Sequence, residues 1–313
     1  MTPRPAGGGP VGSAPTAGGG PVGSAPTAGG GPGAVAPVPG PEAGTVRWVL
    51  RLAYDGAPFR GFAAQDGQVT VAGALSEALG RHVGTPVTLV CAGRTDAGVH
   101  ALDQVVHFDV PEHVAASLDA AALVRSCNRQ LAPAVAVRSA APAPAGFDAR
   151  RSATARRYRY LVLNAPVPDP LLAPRAWHVA DPLDVRTMAT AADALVGEHD
   201  FRAFCRRPPG AGRGDPIVRR VLTTAFTTVS GVLAPPVGTL VAFEIAANAF
   251  CHQMVRSIVG TLVEVGRGRR RPADVVATLR SADRGSAAQP APPHGLTLVA
   301  VRYGDPLPDE PPG

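Results

Sequence analysis

One octapeptide of this sequence combines residue types that are common in catalytic and ligand-binding loops. Residues 93–100 read Gly-Arg-Thr-Asp-Ala-Gly-Val-His, so two glycines bracket the guanidinium of Arg94 and the carboxylate of Asp96. Glycine permits positive φ and close approach of a ligand to the backbone. The runs 86–90 and 104–110 read as flanking strands, and charged groups on such a loop are typical of functional sites. A solvated turn is the alternative, because Asp and Gly are also ordinary turn residues.

This octapeptide resembles the signature of the tRNA pseudouridine synthase A family. Residues 152–160, Ser-Ala-Thr-Ala-Arg-Arg-Tyr-Arg-Tyr, are similar to the family's second motif. Residues 247–260, Ala-Asn-Ala-Phe-Cys-His-Gln-Met-Val-Arg-Ser-Ile-Val-Gly, are similar to its third, and 295–301 to its closing strand. The motifs occur in family order over roughly residues 45–303, and four ordered matches make chance an implausible explanation.

The resemblance implies isomerisation of uridine to pseudouridine at positions 38 to 40 of the tRNA anticodon stem–loop, by a homodimer without metal or cofactor. This reaction breaks the N1–C1′ bond, rotates the base and rejoins it through C5, so the base must first leave the RNA stack. It needs a carboxylate near C1′ or C6 and a base that removes the C5 proton. The sequence shows no dinucleotide-binding, P-loop or zinc-deaminase pattern.

The resemblance also implies a role for individual residues. It makes Asp96 the catalytic carboxylate, Tyr158 the aromatic that stacks on the target base, Arg256 the ion-pair partner of Asp96, and Leu296 a pocket wall. An arginine partner would keep a carboxylate ionised and oriented in a water-poor pocket. Arg94 is close enough in sequence to bind a phosphate beside the pocket. From the pattern alone, Tyr158 could instead be a core tyrosine and Arg256 a surface charge.

The segment at the N-terminus has a composition typical of disorder. Residues 1–44 are almost entirely Gly, Pro, Ala, Ser, Thr and Val, and the unit at 7–17 repeats verbatim at 18–28. Such a segment buries too little apolar area to offset its ordering entropy, so we expect a disordered tail, with a second short one at 306–313. It has no basic region followed by an apolar one, so it does not resemble a signal peptide.

Between these tails the hydrophobic pattern predicts an α+β fold with a largely antiparallel mixed sheet. The element order suggests two similar halves, 45–150 and 151–305, with a central cleft between them and helices on the outer faces. The family resemblance implies that both halves are ferredoxin-like. We predict strands at 46–54, 156–163, 218–230, 239–247 and 296–303, and helices at 71–82, 115–131, 185–196, 250–265 and 272–279. In the strand at 156–163 we expect tyrosines on one face and arginines on the other. The loop 208–216 has no periodicity.

The basic side chains of this chain point to a polyanionic partner. The sequence has no lysine, so its net charge of +6 comes from arginine, which binds phosphate bidentately. The arginines form three clusters: Arg150, Arg151, Arg156, Arg157 and Arg159; Arg267, Arg269, Arg270 and Arg271; and Arg202, Arg206, Arg207, Arg213, Arg219 and Arg220. A solvated charged face is the alternative for each cluster.

Other residue types point away from metal and membrane chemistry. The four cysteines are far apart without a Cys-x-x-Cys pair, so we expect free thiols in a reducing cytoplasm. A metal site from His100, Asp103 and His107 with Asp96 is disfavoured, because no helix sets that spacing. No apolar run approaches the roughly 18 residues of a membrane span.

Some positions depart from the family pattern. Phe62 stands where tryptophan is usual, Ser257 where asparagine is common, and Asp148 where histidine is frequent; the Asn-Arg-Gln-Leu-Ala-Pro turn at 128–133 is slightly altered. These differences bear on RNA affinity and local packing rather than on the reaction. A non-catalytic RNA-binding protein on the same scaffold is the second interpretation, but such a protein has no use for a buried Asp–Arg pair. A metal hydrolase is the third, and it predicts sensitivity to chelators.

Overall fold

A ten-stranded, mostly antiparallel open sheet organises this chain. The computed structural model describes residues 40–41, 43–207, 214–230, 235 and 237–304, all within one compact unit that spans Val38–Gly313. The strands are β1 Thr45–Tyr54, β2 Val90–Cys91, β3 His100–Pro111, β4 Val135–Pro142, β5 Ala153–Asn164, β6 Trp177–Val179, β7 Gly197–Asp200, β8 Val218–Thr228, β9 Thr239–Ala247 and β10 Leu296–Tyr303.

The order of strands across the sheet makes neighbours of strands that are far apart in the sequence. The order is β4-β1-β3-β10-β5-β9-β8-β7, with β2 beside β3 and β6 beside β5. Among the described strands, β10 runs parallel to β3 and β6 parallel to β5, and the other pairs are antiparallel. Because β10 lies between β3 and β5, three strands from distant parts of the sequence meet at the centre.

Helices cover this sheet, and three of those described begin at a side chain that caps them. They are α1 Val71–Val83, α2 Glu112–Ala115, α3 Ala120–Leu131, α4 Val185–Asp193, α5 Met254–Gly266 and α6 Pro272–Ser281. Side chains of Thr70, Asp119 and Asp184 accept backbone N–H groups at the starts of α1, α3 and α4. α5 is buried over most of its surface, so its packing rather than a cap fixes its position.

The α+β prediction with a largely antiparallel sheet is confirmed, and the main differences lie at element ends. The helix predicted at 115–131 begins only at Ala120, where Asp119 caps it. The helix predicted at 250–265 begins at Met254, because the preceding residue, Gln253, has left-handed backbone angles (φ 63°, ψ 5°). The strand predicted at 86–90 is reduced to Val90–Cys91, and β4 was not predicted. Residues 1–39, 208–213 and 305–313 lie outside the described residues.

The sequence of the first strand alternates apolar residues with Arg47 and Arg51, which is typical of a strand with one buried face, but β1 is buried on both faces. Arg51 is 4% exposed, and its Nε lies 3.4 Å from a carboxylate oxygen of Asp103 on β3. Arg47 donates to both carboxylate oxygens of Asp109, at 2.7 and 2.9 Å. Ion pairing to the neighbouring strand lets these arginines occupy positions that the alternating pattern had assigned to solvent.

Candidate active site

The carboxylate of Asp96 is held from two sides at the tip of the loop between β2 and β3. Arg256 Nη1 donates to Asp96 Oδ2 at 3.0 Å, and His252 Nε2 lies 3.2 Å from Oδ1. Asp96 retains 22% of its side-chain exposure, and Arg256 retains 14%. The predicted ion pair between Asp96 and Arg256 is therefore present, and the carboxylate is oriented while it remains accessible from solvent.

The backbone of the Asp96 loop is fixed by hydrogen bonds from elements around it. The hydroxyls of Tyr54 and Thr95 form a hydrogen bond of 2.8 Å, and Gln104 Nε2 donates to the carbonyl of Gly93 at 2.7 Å. The segment after β1 packs so closely that a Cβ on Gly56 would lie 2.0 Å from the carbonyl oxygen of Val99. These contacts make the loop a rigid support rather than a solvated turn.

The two glycines of the octapeptide have different roles. Gly98 has a φ of +78°, which side chains rarely adopt, and a Cβ there would also lie 3.1 Å from Pro293. Gly93 does not have positive φ, and its nearest neighbour would be the hydroxyl of Tyr158 at an ordinary 3.6 Å. The conformational requirement expected at both glycines therefore applies to Gly98.

Arg256 is anchored to the segment that leads into β10, which excludes the interpretation as a surface charge. Its Nε donates to the carbonyl of Ala291 at 2.7 Å, and Ala291 N–H donates back to the carbonyl of Arg256 at 2.9 Å. The same segment continues to Leu296, which is 6% exposed and opposite Tyr160 in the sheet. Leu296 thus lies on the chain segment that supports the partner of Asp96.

Tyr158 is buried in the sheet but its hydroxyl is free among the described residues. The residue is 7% exposed, and its ring packs perpendicular to Phe250 with 5.0 Å between centroids. Its hydroxyl is directed towards Gly93, and no described residue forms a hydrogen bond with it. Burial raises the pKa of Tyr158, so the phenol stays protonated. Tyr160, two residues on, instead donates to the carbonyl of Pro292 at 2.8 Å.

A second polar cluster lies at the start of β3, next to the loop. Arg175 donates to both carboxylate oxygens of Asp55, at 2.8 and 3.0 Å, and this lowers the pKa of Asp55 to about 2. His100 Nδ1 accepts the N–H of Gly56 at 3.0 Å, and its Nε2 lies 3.0 Å from the carbonyl of His294. Burial lowers the pKa of His100, which favours the neutral ring that these two contacts require.

The residues considered for a metal site point to separate partners. His100 contacts the backbone of Gly56 and His294, His107 Nδ1 accepts the N–H of Ala149 at 2.9 Å, and Asp103 pairs with Arg51. Within residues 40–304, as far as they are described, no group of three or more His, Cys, Asp or Glu side chains is arranged to hold a metal ion. The two carboxylate oxygens of Asp96 are contacted by Arg256 and His252 instead.

Comparison with known proteins matches this chain to one family along most of its length. A family model described as tRNA pseudouridine synthase matches residues 191–304. The tRNA pseudouridine synthase A of Frankia casuarinae is 48% identical over 265 residues, covering 83% of this chain and 90% of the relative. This chain belongs to the tRNA pseudouridine synthase A family. It is therefore an enzyme of a family of isomerases, as the motifs had indicated.

Relatives from distant bacteria bear the same family name. The tRNA pseudouridine synthase A of Brevibacillus brevis is 40% identical over 252 residues, covering 80% of this chain and 97% of the relative. That of Idiomarina loihiensis is 41% identical over 274 residues, covering 86% of this chain and 98% of the relative.

Across the described part of the chain, no helix is long and apolar enough to cross a membrane.

The arginine clusters divide into side chains that serve the fold and side chains that remain available. Arg156 is 8% exposed and donates to backbone carbonyls, so its assignment to a basic surface is wrong. Arg267 and Arg269 both contact Asp181 and Glu264. Arg94 and Arg150, by contrast, are exposed, and no described carboxylate pairs with either.

The cysteines also depart from the expectation of four free thiols. Cys91 and Cys127 are free and buried, and burial raises the pKa of each thiol to about 11. Cys205 and Cys251 are joined by a disulfide, with Cα atoms 5.7 Å apart. Their separation of 46 residues hides this proximity from the sequence. The bridge connects the segment after a 3₁₀ turn at Arg202–Phe204 to the residue that precedes His252.

Proposed function

We propose that this enzyme isomerises uridine to pseudouridine at positions 38 to 40 of the tRNA anticodon stem–loop, with Asp96 as the catalytic carboxylate. The observation that carries the proposal is the double contact of Asp96 with Arg256 and His252, at 3.0 and 3.2 Å. A cation beside an accessible carboxylate orients it through charge-assisted contacts. An ionised carboxylate is the group that breaking and remaking the glycosidic bond requires.

The surroundings of Asp96 support a pocket for a base that has left the RNA stack. We propose that Tyr158 stacks on this base and that Leu296 closes one wall of the pocket. Phe250 packs perpendicular to Tyr158 and supports its ring, with centroids 5.0 Å apart. The free hydroxyl of Tyr158 is directed towards the Asp96 loop, so it is available to a polar group of the substrate.

The RNA backbone is proposed to bind beside the loop. Arg94 is exposed two residues before Asp96, and a guanidinium binds phosphate bidentately. Arg150 lies next to the same loop, because its carbonyl and that of Ala92 both accept a hydrogen bond from Arg156 Nη2. Arg94 and Arg150 therefore form a basic edge at the start of the Asp96 loop.

We also propose that the catalytic domain consists of two ferredoxin-like halves, 45–150 and 151–305, around a central cleft. The strand orders support this division. The first half has the order β4-β1-β3-β2, and the second, with the short strands β6 and β7 set aside, has β10-β5-β9-β8. In both halves the last strand lies beside the first, followed by the third and then the second. In each half a helix follows the first strand and another precedes the last. A homodimer, which the family resemblance implies, and a cytoplasmic location complete the proposal.

The experiment that tests the function is pseudouridine mapping on purified components. Unmodified tRNA with uridines at positions 38 to 40 is incubated with the purified protein and mapped by chemical labelling and primer extension. We expect pseudouridine at these positions with the wild type, and none with Asp96→Asn, which keeps the shape and removes the charge. Pseudouridine formed by Asp96→Asn, or formed only at other positions, would refute the proposal.

A further inference from the structure

His252 contacts the second oxygen of Asp96, a contact that the motif comparison does not assign. Its Nε2 lies 3.2 Å from Asp96 Oδ1, while Arg256 occupies Oδ2 at 3.0 Å. Contacts with both oxygens restrict the rotation of a carboxylate more than a contact with one oxygen does. The position of His252 therefore limits how far the carboxylate can turn away from Arg256.

The backbone that carries His252 is restrained on both sides. The carbonyl of His252 accepts the N–H of Arg206 at 2.9 Å, and the preceding residue, Cys251, is bridged to Cys205. The following residue, Gln253, has left-handed backbone angles, which side chains rarely adopt. Strain of this kind persists where the surroundings impose it, and here it turns the chain so that His252 faces Asp96.

The exposure of His252 argues against a role in packing. Its side chain retains 46% of its exposure, so the ring is not part of the packed core. A polar contact with a charged group contributes more than one between neutral groups, because the partner carries a full charge. The contact with Asp96, rather than packing, is therefore the interaction that gives this side chain a role.

We propose that His252 is a positioning residue, which donates its Nε2–H to Asp96 Oδ1 and holds the carboxylate in its reactive orientation. This inference rests on the proposed function of Asp96. Loss of the donor leaves Arg256 as the sole fixed partner of the carboxylate and allows it to rotate. The rate of the chemical step then falls, while tRNA binding is unchanged.

The test compares three variants by single-turnover kinetics with enzyme in excess, together with tRNA affinity and melting temperature. His252→Phe keeps a ring without a donor, His252→Ala removes the ring, and His252→Gln restores an N–H donor. We expect the first two to lower the saturating single-turnover rate about 10- to 100-fold, with tRNA dissociation constants unchanged within about threefold. His252→Gln should recover a rate within about fivefold of the wild type. His113→Phe, on the exposed α2, is the matched control and should match the wild type.

Each other outcome overturns the inference. A weaker tRNA affinity with an unchanged saturating rate would make His252 an RNA contact instead. Equal rates for His252→Phe, His252→Gln and the wild type would show that the reaction does not need the donor. A lower melting temperature together with a loss of rate in all three His252 variants would make the role of this residue structural. The proposed function fails separately, since it predicts pseudouridine from the wild type and none from Asp96→Asn whatever His252 does.

Discussion

Arg156 donates two hydrogen bonds to the carbonyl oxygen of Ala92, from Nε at 3.2 Å and from Nη2 at 2.9 Å. Its Nη1 donates to the carbonyl of Asn248 at 2.7 Å. Ala92 precedes the Asp96 loop, and Asn248 begins the segment that carries His252 and leads into α5. One buried guanidinium therefore holds together the two backbone segments that form the candidate active site.

Replacement of Arg156 should therefore damage both stability and activity. Arg156→Gln leaves buried carbonyl oxygens without donors, which costs about 1 to 3 kcal/mol for each unsatisfied group. We expect the free energy of unfolding to fall by about 2 to 4 kcal/mol, with a clear loss of pseudouridine formation. Urea denaturation and single-turnover kinetics measure these two effects.

The neighbouring arginine provides the control for Arg156. Arg157 is 45% exposed on the opposite face of β5 and lies 3.8 Å from Glu244. Arg157→Gln should change the free energy of unfolding by no more than about 0.5 kcal/mol. Equal destabilisation by the two variants would mean that the contacts of Arg156 contribute nothing particular.

The alternating pattern of β5 already contained the information that placed Arg156. Residues 156, 158 and 160 have the same parity, so Arg156 shares the buried face with Tyr158 and Tyr160, yet all the arginines were assigned to the other face. The pairing of Asp96 with Arg256 was predictable because both lie in motifs that the family resemblance relates.

The contact of His252 was not predictable in this way. A helix starting at residue 250 would have placed His252 in its first turn. The helix starts at Met254 because Gln253 adopts left-handed angles, and glutamine gives no signal for that conformation. The disulfide between Cys205 and Cys251 likewise depends on tertiary structure, since nothing in a separation of 46 residues predicts it.

Gly56 should tolerate no side chain, although it lies outside the octapeptide. A Cβ there would approach the carbonyl oxygen of Val99 to 2.0 Å, and this backbone oxygen cannot turn away as a flexible side chain could. Gly56→Ala should lower the free energy of unfolding by about 2 kcal/mol or more and slow the reaction, because it displaces the Asp96 loop. Gly304→Ala, where the new Cβ would meet nothing within 4 Å, should match the wild type. Wild-type stability of Gly56→Ala would contradict this packing.

His107 should make the stability of the protein depend on pH. Burial lowers the pKa of His107, and its Nδ1 must be unprotonated to accept the N–H of Ala149. Below about pH 6.5 the unfolded state binds more protons at this residue, so its contribution is present above that pH and is lost as the pH falls. His107→Asn supplies an acceptor that does not titrate.

Urea denaturation across about pH 5 to 8 measures the effect of His107. The variant should show a shallower pH dependence, by at most about 1.4 kcal/mol per pH unit. A residual slope of the same sign is expected from His100, whose pKa is also lowered by burial. Identical slopes for the variant and the wild type would mean that His107 protonates equally in both states.

Arg256 should matter for the reaction through Asp96. Arg256→Met removes the cation at 3.0 Å from Asp96 and leaves the carbonyl of Ala291 without that donor. We expect the single-turnover rate to fall about 100-fold or more, with tRNA affinity changed little. Arg280→Met, in the exposed last turn of α6, is the control. A loss below tenfold would argue against the pair, as would additive effects of Asp96→Asn and Arg256→Met on stability.

The salt dependence of tRNA binding should separate the available arginines from those that are already paired. Arg150 and Arg151 are exposed, and no described carboxylate pairs with them, whereas Arg269 contacts Asp181 and Glu264. Replacing Arg150 and Arg151 with Gln should weaken binding and reduce the slope of log affinity against log salt by about 0.7 to 0.9 per lost phosphate contact. Arg269→Gln should leave the slope close to that of the wild type, because its charge is already balanced within the fold. Binding titrations over a range of salt concentrations give these slopes, and an unchanged slope for the double variant would identify Arg150 and Arg151 as a solvated face.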